Sequence, residues 1–580
     1  MFKLKNSKIN YIDLLCVAFL LTFPLIILII GNMAPTYYIN DDFYLKQIVS
    51  GQFTGTPNAY LFHMGYLFGL VVSILYKLLP AIPWYDFFMF SFIYVGIILS
   101  ISLLLKYVNK VWQKLLLTGI GMTVMYGFFF SHLLQLQFTT ISAVVCVASM
   151  VYFYNVKDET HIKSYLCHQI PSFILFGISY QLRDTACIMF LPLLFFLGLS
   201  RLLQNKKMFK PLLAYGSILL GILLVLIGID KLAYSSEDWR TYKEYSENRA
   251  LIVDYEGYPS YEDNTELYDS LGISEASYVA ITTGYSLLLD ENIDADFMKT
   301  IAEISYKKET DLAKLAQGFL TMHIEQHFDW PINRMVFLLY GMTIVMALLS
   351  AKFKALLDVV AIIMGRMIIW VYLLYIGRPI FRVTQGVYIA ELLLLASVFC
   401  YHKLWKPKED KRRNLLTALL AMEILGILLI SVRWGFAYTK EIAELNVQTQ
   451  EEFVSYEEVM EYLHTKEENF YMLDVWSFAS YRGGVFAKPS ENATNTVVLG
   501  GWTANSPWTD EIAANNGFSA FEVIARENDN VFFVFKNTEK TQYTYLAEYY
   551  AQKYPGTTLE VCDKFTSTTG EEFIILRCNK

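Results

Sequence analysis

Residues 11–44 read YIDLLCVAFLLTFPLIILIIGNMAPTYYINDDFY. The apolar part, 11–31, has the length that a helix needs to cross the hydrocarbon core of a bilayer. It is followed by no small-residue cleavage site and by many more apolar runs, which indicates a retained anchor rather than a signal peptide. The chain therefore begins with a predicted membrane span, and a polar, aromatic-rich loop with two adjacent carboxylates, Asp41 and Asp42, comes directly after it.

The rest of the chain repeats this apolar pattern. Of its 580 residues, 55% are hydrophobic and 18% are charged, which is typical of a protein embedded in membrane lipid. The net charge of −8 excludes a nucleic-acid partner. Together with 11–31, these runs predict about eleven transmembrane helices: 86–105, 115–131, 138–154, 169–182, 186–201, 212–232, 332–350, 356–376, 383–401 and 414–432.

Basic residues predict how the spans are oriented. Three lysines within residues 3–8 place the N-terminus in the cytoplasm, and three more within 106–114 mark a second cytoplasmic segment. An odd number of crossings must lie between them, so only one of the apolar runs 60–79 and 86–105 can cross. We expect 60–79 to be a juxtamembrane helix at the outer leaflet. An ordinary span with weak charge bias is the alternative.

This topology divides the chain into four parts. Residues 1–232 form an N-terminal transmembrane module with a first outer loop, 32–59. Residues 233–330, here called the acidic loop, hold 20 acidic and 7 basic residues and are expected to be extracytoplasmic and helical in their second half. Residues 331–433 are further spans. The tail, 434–580, is predicted to be an extracytoplasmic α+β domain. Its predicted elements are helices at 439–465 and 541–553 and strands at 470–475, 496–499, 520–525, 531–536, 559–563 and 573–577.

Cysteine chemistry is sparse. Seven cysteines show neither a CxxC motif nor metal-ligand spacing. Cys562 and Cys578 are symmetric about Gly570 in the last predicted hairpin, so an even ladder would set them opposite each other. A disulfide between them, or two unpaired thiols, are both compatible with the sequence.

The adjacent Asp41 and Asp42 are the candidate catalytic residues. Carboxylates are costly to place near a membrane surface unless something uses them, and a carboxylate there can act as general base on an acceptor hydroxyl. The alternative is a helix cap, for which Asn40 and the two aspartates are also favoured residues.

Arginines at the same membrane face are candidate phosphate ligands. Arg378 and Arg382 lie in one predicted outer turn and Arg183 lies in another, against the usual charge bias of membrane proteins. Arginine binds phosphate oxygens through two parallel N–H donors, which suits a lipid phosphate. Pairing with nearby acids such as Asp184 or Glu391 is the alternative. No phosphate-binding loop, zinc-protease motif or serine-hydrolase elbow is present, and nothing in the sequence indicates a metal or another cofactor.

An acidic pair just outside the first span, an aromatic-rich loop and then the juxtamembrane segment Asn58–Gly69 resemble the GT-C superfamily of integral-membrane glycosyltransferases. This superfamily includes protein O-mannosyltransferases and lipid A aminoarabinose transferases. The resemblance implies sugar transfer from a polyprenyl-phosphate carrier at the outer leaflet to a cell-surface glycan, lipid or protein, with Asp41 or Asp42 acting on the acceptor. The WWDYG-type motif of oligosaccharyltransferases is absent from the tail, which argues against transfer to asparagine.

Two other functions fit the same pattern. A polysaccharide polymerase or carrier flippase also needs many spans and outer arginines. A non-enzymatic receptor or assembly protein would use 434–580 as its binding module. The acidic pair directly after the first span favours the transferase.

Overall fold

The computed structural model describes residues 11–305, 312–325, 329, 331–406, 413–487, 494–518, 521, 524–538 and 543–580. Within these residues ten helices are long and apolar enough to cross a membrane, and they match ten of the eleven predicted spans. The N-terminal lysines, which were used to predict the topology, lie outside the described residues. The protein is therefore a polytopic helical membrane protein with a C-terminal sheet domain.

The N-terminal module contains the following elements: α1 (Tyr11–Ile30), β1 (Thr36–Tyr37), α2 (Asn40–Ser50), α3 (Tyr66–Leu78), α4 (Trp84–Ser102), α5 (Val111–Val124), α6 (Phe130–Leu134), β2 (Gln135–Leu136), α7 (Phe138–Asn155), α8 (Ile162–His168), α9 (Ile170–Leu182), α10 (Asp184–Met189), α11 (Leu191–Gln204) and α12 (Phe209–Ala233). The acidic loop and the later spans contain α13 (Glu237–Leu251), α14 (Thr265–Ser270), α15 (Glu275–Thr283), α16 (Ala295–Ser305), α17 (Leu312–Leu320), α18 (Ile332–Leu349), α19 (Phe353–Tyr375), α20 (Phe381–Tyr401) and α21 (Arg413–His464).

The eleventh predicted span, 169–182, is part of a longer interrupted helix. The two helices α8 and α9 are joined through Gln169, whose backbone keeps helical dihedral angles (φ −92°, ψ −1°). Paired serines hold α9 against the buried helix α7, because Ser142 and Ser149 donate to the carbonyl oxygens of Ser179 and Ser172 at 2.8 and 2.7 Å. Small polar residues of this kind allow close approach of helices in a membrane.

The connecting loops fall on two faces of the bundle. On one face, called the site face, Arg183 donates to the His63 carbonyl oxygen at 3.0 Å, and the Phe62 N–H donates to the Tyr234 hydroxyl at 2.9 Å. On the opposite face, Arg201 donates to the Phe153 carbonyl oxygen at 2.9 Å. The basic loop residue Arg201 and the first loop thus lie at opposite ends of the spans, as the charge pattern predicts.

The helix within the run 60–79 is shorter than the hydrocarbon core of a bilayer. This helix, α3, has 13 residues, or about 20 Å at 1.5 Å per residue, against roughly 30 Å of hydrocarbon. The Gly65 N–H donates to the Gln181 carbonyl oxygen at 2.7 Å, and the Phe68 N–H donates to the Gln181 side chain at 3.1 Å. These bonds fasten the start of α3 to the site-face end of α9, and the juxtamembrane position of 60–79 stays a prediction.

The last span and the first helix of the tail are one element. The sequence predicts a span at 414–432 and a separate helix at 439–465, but α21 runs unbroken over 52 residues, about 78 Å. The apolar and polar halves of α21 share one helical backbone, and nothing between them breaks it. This helix connects the membrane bundle directly to the C-terminal domain.

The C-terminal domain is a mixed five-stranded sheet in the order β4-β3-β5-β7-β6. Strands β3, β4 and β5 are parallel, and β7 pairs antiparallel with both β5 and β6. Its elements are β3 (Phe470–Leu473), α22 (Val475–Phe478), β4 (Thr496–Val498), α23 (Pro507–Asn515), α24 (Ile524–Glu527), β5 (Val531–Lys536), α25 (Thr544–Lys553), β6 (Thr558–Thr566) and β7 (Glu572–Asn579).

One predicted strand of this domain is wrong, and the structure bears on the two alternatives for its cysteines. The strand predicted at 520–525 is helical where it is described near its end, because α24 begins at Ile524. Cys562 and Cys578 are both free thiols. Cys578 faces Leu559, while Cys562 lies at a β-bulge between Val561 and Asp563. The hairpin is centred on Thr569 rather than Gly570, which moves the two cysteines out of register and leaves no disulfide between them.

Candidate active site

The acidic pair lies in the first turn of α2. The residue that precedes this helix is Ile39, and no side chain caps the helix. Asp41 and Asp42 are therefore not capping residues, although their negative charge suits the first turn of a helix. Strand β1, just before them, pairs in parallel with β2, so the first loop is held beside the start of α7.

Asp42 is a completely buried, hydrogen-bonded carboxylate. It accepts a hydrogen bond from the Tyr85 hydroxyl at 2.8 Å and a longer one from the Phe138 N–H at 3.4 Å. Phe138 is the first residue of α7, so the carboxylate occupies the positive end of a helix dipole. Burial raises the pKa of Asp42 well above its usual range, and the two hydrogen bonds oppose that shift. Asp42 thereby connects α2 to α4 and α7.

Asp41 is different, because no hydrogen-bond or ion-pair partner for its carboxylate occurs among the described residues. It is half-buried, and burial raises its pKa while the charges of Arg382 and Arg183 oppose that rise. A desolvated, unpaired carboxylate that faces arginines is an uncommon arrangement, and groups of this kind concentrate at functional sites. Of the two predicted aspartates, Asp41 is the one whose oxygens are available to a ligand.

The three predicted arginines all reach this region, each in a different way. In the part of the chain that the structure describes, the Arg382 guanidinium has no partner. Arg183 is held by the His63 carbonyl oxygen and lies 5.5 Å from the Phe138 ring centre. Arg378 forms an ion pair with Asp254 of the acidic loop and lies 4.8 Å above the Tyr255 ring. The predicted alternatives Asp184 and Glu391 do not pair with Arg378.

Glu391 belongs to a separate membrane-buried cluster. Its carboxylate lies 2.5 Å from the Arg366 Nε and accepts from the Tyr340 hydroxyl at 2.7 Å. The other arginine nitrogen, Nη2, lies 2.5 Å from His323 Nε2. This cluster connects α18, α19 and α20 beneath the site face and leaves the arginines of the site free of Glu391.

His63 was not predicted as a site residue. Its ring stacks on Phe138 at 6.3 Å between centres and lies 4.7 Å from the Trp502 ring of the C-terminal domain. Burial and the surrounding charges, led by Arg183, lower the pKa of His63 well below its usual range, so the imidazole is neutral. The only signal in the sequence is its position after the acidic pair, just before α3.

Arg249 is the second residue that the sequence analysis missed. It lies on α13 of the acidic loop, is buried, and acts electrostatically on both Asp41 and His63. Its guanidinium donates to the Tyr285 hydroxyl. The sequence gives no sign that Arg249 is a site residue, because a single arginine in an acidic loop is indistinguishable from an ordinary surface charge.

A buried polar frame holds the first loop in place. The Asn446 side chain of α21 donates to the carbonyl oxygens of Ala34 and Leu134 at 3.1 and 2.9 Å and accepts from the Thr36 hydroxyl at 2.8 Å. These bonds clamp β1 and β2 together from the side of the long helix. The position of Asp41 therefore depends on a residue more than 400 positions away in the chain.

An ion pair fixes the other side of the loop. Lys46 of α2 and Asp86 of α4 are both buried and lie 2.8 Å apart. Asp86 also accepts from the Tyr37 hydroxyl and from the Phe486 N–H, the latter at 3.0 Å. Phe486 belongs to the C-terminal domain, so this domain is hydrogen-bonded into the frame of the candidate site.

Comparison with known proteins identifies the scaffold. No protein-family model and no curated protein sequence matches the chain. Among solved structures, ArnT from Cupriavidus metallidurans bound to undecaprenyl phosphate aligns with 97% of this chain and 97% of its own, with a TM-score of 0.50 at 10% identity. The chain shares the overall fold of this structure.

Two further structures align more loosely. ArnT from the same organism in the apo state has a TM-score of 0.47 at 11% identity, with 97% of both chains covered. The oligosaccharyltransferase of Archaeoglobus fulgidus has a TM-score of 0.42 at 12% identity, covering 91% of this chain and 70% of its own.

Proposed function

We propose that this protein is a membrane glycosyltransferase that moves a sugar from a polyprenyl-phosphate carrier to an acceptor at the outer leaflet. The observation that carries the proposal is Asp41, an unpaired, half-buried carboxylate that faces Arg382 and Arg183. The Asp41 carboxylate can accept a proton, and the guanidinium groups of Arg382 and Arg183 can bind a departing phosphate. The basic loops opposite the site face favour an extracytoplasmic site.

The proposed reaction uses these groups directly. The acceptor hydroxyl attacks the anomeric carbon of the sugar, and its proton passes to Asp41. The bond between the anomeric carbon and the phosphate oxygen breaks, and the polyprenyl phosphate leaves with the bonding electrons. The guanidinium groups of Arg382 and Arg183 stabilise the charge that develops on that phosphate. Asp42 keeps Asp41 in position through its bonds to α4 and α7.

Arg378 has a different role in this proposal. Its present partner is Asp254, and both side chains are partly exposed. An exposed ion pair contributes only about 0–1 kcal/mol, so a lipid phosphate can displace Asp254 at little cost. We assign Arg382 and Arg183 as the main phosphate ligands and Arg378 as a ligand recruited when the carrier binds.

Binding of undecaprenyl phosphate tests the proposal. The purified full-length protein in detergent is expected to bind this lipid, and Arg382→Gln is expected to weaken binding at least tenfold, about 1.4 kcal/mol. Arg433→Gln is the matched control, since Arg433 lies at the end of the last predicted span, is exposed and lies 5.6 Å from the Trp434 ring. Absence of binding by the wild type, or equal binding by Arg382→Gln, would contradict the proposal.

A further inference from the structure

A second group of polar side chains lies next to the candidate site, within the acidic loop. Arg249 and Tyr245 are one turn apart on α13, and Tyr258 and Tyr285 approach them from later parts of the loop. Arg249 and Tyr245 are 8% and 2% exposed. Asp41 and Asp254 act on Arg249 electrostatically, so the group borders the candidate active site.

These side chains lack hydrogen-bond partners. The Arg249 Nε and the hydroxyl groups of Tyr245 and Tyr258 are buried and unpaired. Arg249 donates to the Tyr285 hydroxyl. The amide of Asn505 donates to the Ile293 carbonyl oxygen and also approaches the Tyr245 hydroxyl oxygen, which leaves the Tyr245 O–H as a donor without an acceptor among the described residues.

The guanidinium also lacks a counter-ion. Within the described residues no carboxylate lies within 4 Å of Arg249, and Asp254 is engaged by Arg378. A buried charge is normally paired, and a buried donor is normally hydrogen-bonded, because either one alone is costly to remove from water. Arg249 thus keeps an unpaired Nε, and the hydroxyl groups of Tyr245 and Tyr258 are unpaired as well, so these N–H and O–H groups can donate to an anion.

We propose that Arg249, Tyr245 and Tyr258 form a second anion-binding site, distinct from the lipid-phosphate ligands Arg382 and Arg183. The ligand is a phosphate or carboxylate group of a substrate. It receives a charge-assisted hydrogen bond from the guanidinium and neutral hydrogen bonds from the phenols. This inference deepens the proposed function and rests on it: the donor carries a second phosphate, or the sugar or acceptor carries its own anionic group.

A melting experiment separates this role from a structural one. Arg249→Gln keeps a polar side chain and removes the unpaired charge, so the ligand-free variant is expected to melt at or above the wild-type temperature. Tyr258→Phe keeps the ring and removes one donor, so it should melt like the wild type. A large fall in the melting temperature of both variants would mean that the group stabilises the fold, and would overturn the proposal.

A binding experiment then tests the anion site. In protein saturated with undecaprenyl phosphate, inorganic phosphate is expected to bind to one further site. Arg249→Gln should weaken that binding at least tenfold and Tyr258→Phe severalfold, while Arg433→Gln leaves it unchanged. Phosphate that does not bind, or that binds Arg249→Gln as well as the wild type, overturns the second site.

Two lipids distinguish the source of the anion. If Arg249→Gln weakens binding of undecaprenyl diphosphate but not of undecaprenyl phosphate, the anion is the second phosphate of the donor. If neither lipid is affected while inorganic phosphate binding is lost, the anion belongs to the sugar or acceptor. If Arg249→Gln weakens binding of undecaprenyl phosphate itself, Arg249 belongs to the same phosphate site as Arg382 and Arg183, and the proposal of a second site is overturned. A wild type that binds phosphate through Arg249 but no lipid would refute the proposed function alone.

Discussion

Replacing Asp41 by asparagine should remove activity without removing stability. Within the described part of the chain, Asp41 has no hydrogen bond or ion pair that this change would remove. Burial raises the pKa of Asp41, so the folded protein binds the proton more tightly than the unfolded chain does. Above the ordinary carboxyl pKa the charge is therefore a net cost to folding, and neutral asparagine is expected to leave the free energy of unfolding unchanged or slightly higher, within about 0.5 kcal/mol.

The effect on the reaction should be large. Loss of a general base typically lowers the rate by about 10² to 10⁴, or about 3–5 kcal/mol in the barrier. Asp42→Ala should behave in the opposite way, because it leaves the Tyr85 hydroxyl and the Phe138 N–H without an acceptor. Each unsatisfied buried donor costs about 1–3 kcal/mol. Asp42→Ala should therefore unfold at a clearly lower temperature, and Asp42→Asn should restore much of the loss.

The assay combines rate and melting temperature. Sugar transfer is followed from an extract of the source cell's polyprenyl-linked sugars to its own membranes, with purified wild type, Asp41→Asn, Asp42→Asn and the exposed control Asp263→Asn. The wild-type rate should rise as the pH passes through a raised carboxyl pKa, because the base must be deprotonated, and the residual rate of Asp41→Asn should lack that rise. A wild-type rate in Asp41→Asn would refute the reasoning. So would a lower rate accompanied by a clearly lower melting temperature, because the variant would then be inactive through unfolding.

Three other predictions concern the frame of the site. Lys46→Met leaves Asp86 buried without a counter-charge and should cost about 3–5 kcal/mol of stability, whereas adding Asp86→Asn should recover more than half, measured by denaturation in detergent. Gly69→Ala should lower the melting temperature, because the new Cβ would lie 2.0 Å from a backbone carbonyl oxygen of the first loop, while Gly216→Ala, which faces open space, should not. A tag after Lys110 should be inaccessible in intact cells and a tag in the acidic loop accessible, and the reverse result would refute the orientation.

Local patterns predicted the parts of the structure that depend on neighbouring residues. Hydropathy predicted eleven spans, ten of which match long apolar helices, and the acidic pair pointed to the first loop. The site residues that the sequence did not predict depend on contacts between residues distant in the chain. His63 gains its setting from Trp502, and Arg249 gains its burial from the packing of a loop that composition describes only as acidic. The sequence leaves the pairing of Cys562 and Cys578 open, because a β-bulge at Cys562 and a turn centred on Thr569 leave no trace in the spacing of the cysteines.

The distribution of charge explains how an acidic protein can recognise an anionic lipid. The chain has a net charge of −8, and its acidic loop holds 20 acidic against 7 basic residues. Four arginines nevertheless converge near Asp41, and the raised pKa of Asp42 shows that burial disfavours its charge. Asp254 neutralises Arg378, and the negative charge of Asp41 offsets only part of the positive charge of Arg382, Arg183 and Arg249. A net positive charge therefore remains in a region that is largely buried. A negatively charged ligand would neutralise this positive charge, so the site is electrostatically suited to an anionic substrate.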